Sequence, residues 1–316
     1  MPLSKPMRLA ITALSKPKID MKKMYRIVRR VTRVVHHPRL APLYKPWDRV
    51  IERDGHEVPV RIFVPDNDRQ TGKLLLFFHG GGWVTGDIDS YSDACVLMSN
   101  LTGHKVASVD YSLAPEHRFP AGLEDCYTAM QEILQNSASF GVDPAQVTLI
   151  GDSAGGNLAA AVSLLARDRG GLQVKQQILL YPSTYSDHDP ATSPFDSVRV
   201  NGQDNLLTAQ RLRDYISLYK SSDADLQNPY FAPLIAGDLT HQPNTLVITA
   251  ELDPLRDEGE AYGRRLAAAG ARVEVHRISD ALHGFLSLPG LPPPVKRTYG
   301  LINAFLYREE YAGRAR

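Results

Sequence analysis

The feature that most constrains the fold of this chain is the segment Gly-Asp-Ser-Ala-Gly at residues 151–155. An apolar run at residues 147–150 precedes it and is typical of a buried strand, while the small residues at 156–166 are typical of a helix. A serine between a strand and a helix occupies a sharp turn, where glycines relieve crowding of the backbone. The segment therefore predicts a nucleophile elbow, with the Ser153 hydroxyl presented at the end of a strand.

A glycine run lies upstream of the elbow. Residues 74–78 are continuously apolar and predict a buried strand, and residues 79–83 follow directly with the sequence His-Gly-Gly-Gly-Trp. Glycines leave backbone N–H groups accessible, and converging N–H groups stabilise the oxyanion that forms during acyl transfer. A flexible turn is the alternative for such a run taken alone, but its position after a strand and upstream of an elbow favours an oxyanion hole. The glycine spacing fits neither a dinucleotide-binding nor a phosphate-binding loop.

A serine nucleophile needs a general base, and with this type of elbow the acid and then the histidine follow the serine in the chain. The alternating pattern around His276 predicts a strand residue, and His188 and His241 lie in polar loop segments. His283 precedes a glycine in a loop after that strand, from which it could swing over Ser153. From position alone, a surface loop histidine and a catalytic base are equally good interpretations of His283.

The orienting carboxylate is expected at the carboxyl end of a parallel strand, where the active sites of such sheets lie. Residues 244–250 predict that strand, and Asp253, which follows it, is the preferred candidate. Glu251 and Asp257 are rivals, and either could instead cap the helix that begins near residue 257. The carboxylate would hold the imidazole tautomer and stabilise the imidazolium that forms when the serine loses its proton.

Together these motifs resemble those of the hormone-sensitive-lipase-like branch of the α/β-hydrolases, whose esterases carry an HGGG loop and a GDSAG elbow. Residues 106–121 are similar to the family's block between the two motifs, and residues 253–259 and 283–285 are similar to its acid and histidine blocks. The resemblance covers about residues 50–310. It implies an α/β-hydrolase fold, with a mostly parallel central sheet, helices on both faces and a helical cap.

The resemblance also implies roles for individual residues. The implied catalytic triad is Ser153, Asp253 and His283, and the implied oxyanion donors are the backbone N–H groups of Gly81, Gly82 and Ala154. Three residues are expected to contact the substrate: Trp83, Asp152 and Tyr185. Two acidic residues, Asp110 and Glu116, are expected to support the site without reacting.

The activity that the resemblance implies is that of a serine carboxylic-ester hydrolase acting on small esters with short to medium acyl chains. Neither a metal nor a cofactor is expected. Hydrolysis of amides, or of another non-ester carbonyl substrate, on the same scaffold is one alternative. Non-catalytic binding of a small molecule is another, although the presence of serine, aspartate and histidine together argues against it.

The composition limits the classes of protein to which this chain can belong. The 316 residues can bury a large core, and 43% hydrophobic with 22% charged residues is ordinary for a soluble protein. Two cysteines far apart in the sequence suit a reducing compartment and form no metal-site pattern. No apolar run approaches the length of a membrane span, and no secretory signal is evident at the N-terminus. These features predict a cytoplasmic protein.

Predicted strands and helices alternate along the chain, which indicates a mostly parallel sheet covered on both faces. The strands are predicted at residues 58–64, 74–78, 106–110, 147–150, 177–181, 246–250 and 273–278, and the helices at residues 93–101, 121–135, 208–219 and 258–269. Four segments follow: an N-terminal cap segment (1–49), a first part of the catalytic core (50–184), a cap insertion (185–238) and a second part of the core (239–316).

The N-terminal segment is strongly basic. Residues 1–49 contain 13 Lys or Arg against two Asp, a net charge of +11, so the rest of the chain carries −10 to give the total of +1. Residues 21–35 predict a basic amphipathic helix, which could lie on an anionic membrane or pack as a cap on the core. The cap is favoured over membrane contact, and nucleic-acid binding is not expected from one basic helix without a binding motif. A homodimer is compatible with the sequence.

The insertion interrupts the strand order and is expected to lie above the carboxyl ends of the strands. With the N-terminal segment it would form a lid that shapes the substrate pocket. Five residues are candidate pocket walls, each with cap core as the alternative: Tyr185, Phe195, Leu206, Leu207 and Tyr215.

Overall fold

The computed structural model describes residues 20–35, 47–53, 55–67, 72–203, 206–287 and 291–308. Within these ranges the strands are β1 (Trp47–Arg53), β2 (His56–Phe63), β3 (Leu74–Phe78), β4 (Lys105–Val109), β5 (Val147–Asp152), β6 (Gln176–Leu180), β7 (Asn244–Leu252) and β8 (Val273–Leu282). They form one eight-stranded sheet in the order β1-β2-β4-β3-β5-β6-β7-β8. The pairs β1–β2 and β2–β4 are antiparallel, and the other neighbours are parallel. The arrangement is the mostly parallel sheet that the alternating sequence pattern predicts.

The helices of the described ranges are α1 (Met21–Val35), α2 (Ile88–Thr102), α3 (Ala121–Gln135), α4 (Ala154–Asp168), α5 (Asp196–Asn201), α6 (Ala209–Tyr219), α7 (Arg256–Ala268) and α8 (Pro293–Leu306). Short 3₁₀ turns cover Ser137–Phe140, Pro144–Gln146, Asp223–Gln227, Pro233–Ile235 and Phe285–Ser287. α3 has the bounds that the sequence predicts. α2 begins earlier than predicted because Asp87 and Ser90 form a reciprocal capping box at its start.

Helices cover both faces of the sheet, and the alternating side chains of β3 contribute to two apolar cores. Leu74, Leu76 and Phe78 pack in the larger core with residues of α3 and α4. Leu75 and Phe77 pack in the second core with residues of α2 and α8. Because successive strand residues point to opposite faces, this central strand anchors both layers and fixes the position of the loop that follows Phe78.

Among the helices outside the strand–helix alternation, α1 and α6 contact each other. α6 belongs to the segment between β6 and β7, and α1 precedes β1. α1 contacts both α6 and α2, so the N-terminal helix packs against the insertion and the core together. The remainder of the basic N-terminal segment, residues 1–19 and 36–46, lies outside the described residues.

The apolar residues of α1 are divided between two environments. Met21 is buried, and Tyr25 and Val28 are half-buried against the larger core. Three others are exposed by 37%, 54% and 54% respectively: Met24, Ile27 and Val31. Only part of the apolar face of this predicted amphipathic helix is therefore covered by residues that the structure describes. In the same ranges, no helix has both the length and the apolar character to cross a membrane.

Candidate active site

The predicted elbow lies between β5 and α4, with Ser153 at its apex. Ser153 has φ 57° and ψ −115°, a backbone conformation that L-residues rarely adopt and that is typical of strained functional turns. A Cβ atom at Gly155 would overlap the Phe78 carbonyl, and one at Gly151 would overlap the Gly155 carbonyl. Glycine is therefore required on both sides of the serine because strand and helix approach too closely for any side chain.

Three side chains from the ends of three parallel strands form a hydrogen-bonded chain. The His283 Nε2 atom lies 2.8 Å from Ser153 Oγ, and its Nδ1 atom lies 2.7 Å from Asp253 Oδ2. Asp253 is fully buried, and its Oδ1 atom accepts a hydrogen bond from the Leu255 N–H group. The carboxylate is thus fixed by the backbone after β7, and it contacts the ring nitrogen opposite the one that faces the serine.

The two alternative candidate acids, Glu251 and Asp257, bond to other parts of the protein. The Glu251 carboxylate accepts a hydrogen bond from the Asp280 N–H group at 2.7 Å. Asp257 lies in the first turn of α7 and accepts from the Ser197 N–H group at 2.8 Å. Each carboxylate therefore holds a neighbouring loop or helix, and neither contacts His283 in the described residues.

The other three histidines after the serine have partners other than Ser153 in the described residues. His276 lies in β8 beside Glu274, as the alternating pattern predicts, and His241 is an exposed loop residue. His188 is fully buried, and its Nε2 atom lies 2.7 Å from the Glu258 carboxylate. Glu258 also accepts hydrogen bonds from the backbone at the start of the insertion, so this buried pair ties the insertion to α7. Sequence reasoning missed the pair because its members are 70 residues apart.

The glycine run forms a compact turn beside the serine. The Gly81 carbonyl accepts hydrogen bonds from the N–H groups of Val84 and Thr85, which closes the turn. A Cβ atom at Gly82 would overlap the ring of Tyr215. Within the described ranges, none of the hydrogen bonds is donated by the backbone N–H groups of Gly81, Gly82 or Ala154. All three residues line the same cavity as Ser153, which leaves these donors available to a ligand oxygen.

Asp152 connects the elbow to the glycine turn. Its Oδ1 atom accepts a hydrogen bond from the Gly80 N–H group at 2.7 Å, and its Oδ2 atom lies 3.3 Å from the Tyr91 hydroxyl. Burial raises the pKa of the Asp152 carboxyl from 3.8 to about 6. The residue was predicted to contact substrate; it does line the cavity, but its oxygens are bonded to the protein.

The buried ring of His79 packs beside the glycine turn and contacts its backbone. This role of His79 was not predicted from the sequence. The ring stacks on Tyr111 at 4.4 Å and packs against Tyr91 at 5.3 Å, while its Nδ1 atom lies 2.8 Å from the Gly80 carbonyl. Burial lowers the pKa of the imidazole, which favours the neutral form. The position of this histidine directly before the glycines was the available signal.

The cavity above Ser153 has a volume of about 230 Å³. Of the candidate wall residues, Leu206, Leu207 and Tyr215 line it, together with Trp83, whose indole stacks on Tyr219. Further lining residues are Tyr91, Ser183, Arg211, Leu212, Gly284 and Ser287. Tyr185 and Phe195 do not line this cavity; their rings pack edge to face at 5.5 Å. Both side chains pack against the larger apolar core, and for Tyr185 this differs from the expected substrate contact.

The two acidic residues expected to support the site lie beneath α1. The Glu116 carboxylate pairs with the Arg29 guanidinium at 2.9 Å. Arg29 also donates to the carbonyl of Val84, in the glycine turn, and to that of Ala114, each at 2.6 Å. Asp110 lines a small cavity next to these groups, and burial raises its pKa. The N-terminal helix is thus bonded directly to the turn that carries the candidate oxyanion donors.

Comparisons with known proteins agree with this architecture. A family model described as the α/β-hydrolase fold matches residues 75–287. An arylesterase of Saccharolobus solfataricus is 38% identical over 249 residues, covering 78% of this chain and 79% of that protein. The carboxylesterase NlhH of Mycobacterium tuberculosis is 34% identical over 282 residues, covering 87% of this chain and 86% of that protein. The solved structure of a hyperthermophilic esterase from Pyrobaculum calidifontis superposes with a TM-score of 0.86 at 34% identity, covering 98% of this chain and 99% of that one.

Proposed function

The chain belongs to the hormone-sensitive-lipase-like esterases of the α/β-hydrolase fold and is a carboxylesterase-type hydrolase, and on this premise we propose that Ser153, His283 and Asp253 are its catalytic triad. The observation that carries the proposal is the chain of hydrogen bonds from Asp253 through His283 to Ser153, which ends in a cavity. The proposed substrates are small carboxylic esters with short to medium acyl chains. No step of the proposed reaction requires a metal.

Acylation begins when Ser153 Oγ attacks the ester carbonyl carbon. The His283 Nε2 atom takes the hydroxyl proton, and the buried Asp253 carboxylate stabilises the imidazolium through Nδ1–H. The carbonyl oxygen becomes an oxyanion, and the proposed donors to it are the N–H groups of Gly81, Gly82 and Ala154, which all line the cavity. His283 then returns its proton to the leaving alkoxide, and the alcohol departs from the acyl-enzyme.

Deacylation repeats these proton transfers with water. His283 removes a proton from a water molecule, whose oxygen attacks the acyl carbon, and the second oxyanion occupies the same site. Collapse of this intermediate returns the proton to Ser153 Oγ and releases the carboxylic acid. The same three side chains therefore serve both halves of the reaction.

The acyl-chain preference is proposed from the size and walls of the cavity. A volume of about 230 Å³ lies below the usual range for sites that enclose drug-sized ligands. Trp83, Leu206 and Leu207 provide apolar walls that suit short hydrocarbon chains. We extend the proposal to the domains: residues 1–49 and 185–238 form a cap, supported by the contact of α1 with α6, over a core formed by residues 50–184 and 239–316.

Kinetics of single substitutions test the triad. Ser153→Ala and His283→Ala are expected to reduce turnover of a soluble short-chain ester by a factor on the order of 10⁴ to 10⁶. His276→Ala is the matched control, because His276 is half-buried on β8 beside Glu274, and it is expected to retain the wild-type rate. Near-wild-type turnover by folded Ser153→Ala, or loss of turnover in His276→Ala alone, would overturn the assignment.

Matched substrates test the alternatives in reaction class. An ester and an amide that share acyl and leaving groups are compared with the same enzyme preparation. The proposal predicts faster turnover of the ester, which has the better leaving group. Faster turnover of the amide would favour amide hydrolysis, and saturable binding without turnover of either would favour a non-catalytic binder.

A further inference from the structure

A cation lies in the wall of the active-site cavity. Arg211 lines the cavity from the first turn of α6, and it is half-buried there. Its Nη1 atom donates to the Leu206 carbonyl at 2.8 Å. Its guanidinium forms no ion pair with the carboxylates of the described residues. Because a guanidinium carries five N–H donors, most of its hydrogen-bonding capacity remains available to a ligand.

In the part of the chain that the structure describes, no carboxylate pairs with the charge of Arg211. The neighbouring wall is apolar, formed by Leu207 and Leu212. Asp152 is the carboxylate that lines the cavity, but its oxygens bond to Gly80 and Tyr91. An unpaired cation in a partly desolvated, apolar wall is unfavourable, and a bound anion would relieve that cost.

The position of Arg211 relates it to the reacting atoms. It lies four residues before Tyr215 on α6, and residues at this spacing share one helix face, about 5–6 Å apart at their Cβ atoms. The ring of Tyr215 lies directly against Gly82, one of the candidate oxyanion donors. A substrate whose carbonyl occupies the oxyanion site would therefore extend a few bonds along α6 to reach Arg211.

We propose that Arg211 binds a carboxylate of the substrate, and that the preferred substrates are monoesters of dicarboxylic acids. One end of such a molecule presents the ester carbonyl to Ser153, and the other end presents an anion that the planar guanidinium can bind through two parallel hydrogen bonds. A neutral ester of equal length would fill the cavity but leave Arg211 unpaired. This inference rests on the proposed function, because it assumes ester turnover at Ser153.

The experiment compares charged and neutral esters of equal chain length. Monoethyl succinate, glutarate and adipate are each paired with the ethyl ester of a monocarboxylic acid of the same length, and the ratio of kcat/KM within each pair is measured. The wild type is expected to prefer at least one monoester, and Arg211→Gln is expected to lower that ratio about tenfold or more. High salt is expected to lower the ratio in the wild type.

Arg213→Gln is the matched control. Arg213 lies on the same helix but pairs with Asp189 and does not line the cavity, so its removal is expected to leave the ratio unchanged. If Arg211→Gln does not fold, Arg211→Lys replaces it in the experiment. Lysine keeps the charge but lacks the planar guanidinium, so the kcat/KM ratio of monoester to neutral ester is expected to fall below the wild-type value but less than in Arg211→Gln. In the wild type, adipate is expected to inhibit neutral-ester hydrolysis more strongly than 1,6-hexanediol.

Several results would overturn the inference while leaving the proposed function intact. They are a wild-type preference for the neutral ester in every pair, an equal ratio in wild type and the Arg211 variants, or an equal loss in Arg213→Gln. In each case the neutral esters would still be hydrolysed in a Ser153-dependent manner. Turnover that persists in Ser153→Ala would instead overturn the proposed function itself.

Discussion

The hydrogen bonds and the ion pair of Arg29 predict how much the N-terminal helix contributes to the stability of the glycine turn. Arg29 donates to two backbone carbonyls, of Val84 and Ala114, and pairs with Glu116. The Arg29 and Glu116 side chains are 26% and 39% exposed, so their ion pair contributes at most about 1 kcal/mol. Each partly buried bond from the cation to a carbonyl contributes about 1 kcal/mol net. Arg29→Ala is therefore expected to lower the free energy of unfolding by about 2–3 kcal/mol.

Urea unfolding of three variants tests this magnitude. Arg33→Ala removes a more exposed arginine of the same helix, 69% exposed, whose ion pair with Asp87 should contribute less than about 1 kcal/mol. Glu116→Gln keeps the two carbonyl bonds and should likewise cost less than about 1 kcal/mol. Arg29→Ala alone should also weaken inhibition by a boronic acid that mimics the tetrahedral intermediate, because Val84 belongs to the glycine turn. Equal destabilisation by Arg29→Ala and Arg33→Ala, with unchanged inhibition, would refute the reasoning.

Two further predictions concern pH and the N-terminal segment. Because the pKa of Asp152 is raised from 3.8 to about 6, the folded protein retains this proton to higher pH than the unfolded chain, and its contribution to stability is lost as pH rises through that interval. In urea unfolding at pH 4 and pH 7, the stability of wild type relative to Asp152→Asn should fall by roughly 2 kcal/mol toward pH 7, because the unfolded carboxyl is already partly ionised at pH 4. A difference in stability that does not change with pH would contradict the raised pKa of Asp152. If α1 is part of the cap, deletion of residues 1–40 should reduce solubility and change the acyl-chain preference. The alternative is that the exposed residues Met24, Ile27 and Val31 contact a membrane surface. In that case the full-length protein should bind anionic vesicles in a salt-sensitive manner, and the deletion should abolish this binding without changing the ester kinetics.

The elements that could be predicted from the sequence are those whose constraints are local. The turn around Ser153 needs glycines because β5 and α4 approach closely, and this requirement is visible within five residues. The continuous apolar runs of the central parallel strands are equally local signals. β1 was missed because it is rich in charged residues and, among the described strands, pairs with β2 alone at the edge of the sheet. α8 was missed because its first turn contains prolines, which are compatible with a helix start but also typical of loops.

Contacts between distant segments could not be predicted in the same way. Position alone left Glu251, Asp253 and Asp257 as candidate acids, and only the path of the chain after β7 separates them. Tyr185 and Tyr215 both lie in the insertion, yet only Tyr215 reaches the cavity, because α6 turns its face toward Gly82. Such choices depend on how the insertion packs, which no short sequence pattern encodes.

Covalent labelling tests the central claim, that Ser153 is the activated nucleophile, most directly. The wild-type protein is incubated with a serine-reactive organophosphate, and the modified residue is located by peptide mass spectrometry. We expect a single modification at Ser153, loss of ester hydrolysis in proportion to its extent, and no modification of Ser153→Ala or His283→Ala on the same time scale. Labelling of a different serine in proportion to the loss of activity, or full activity of protein labelled at Ser153, would contradict the account.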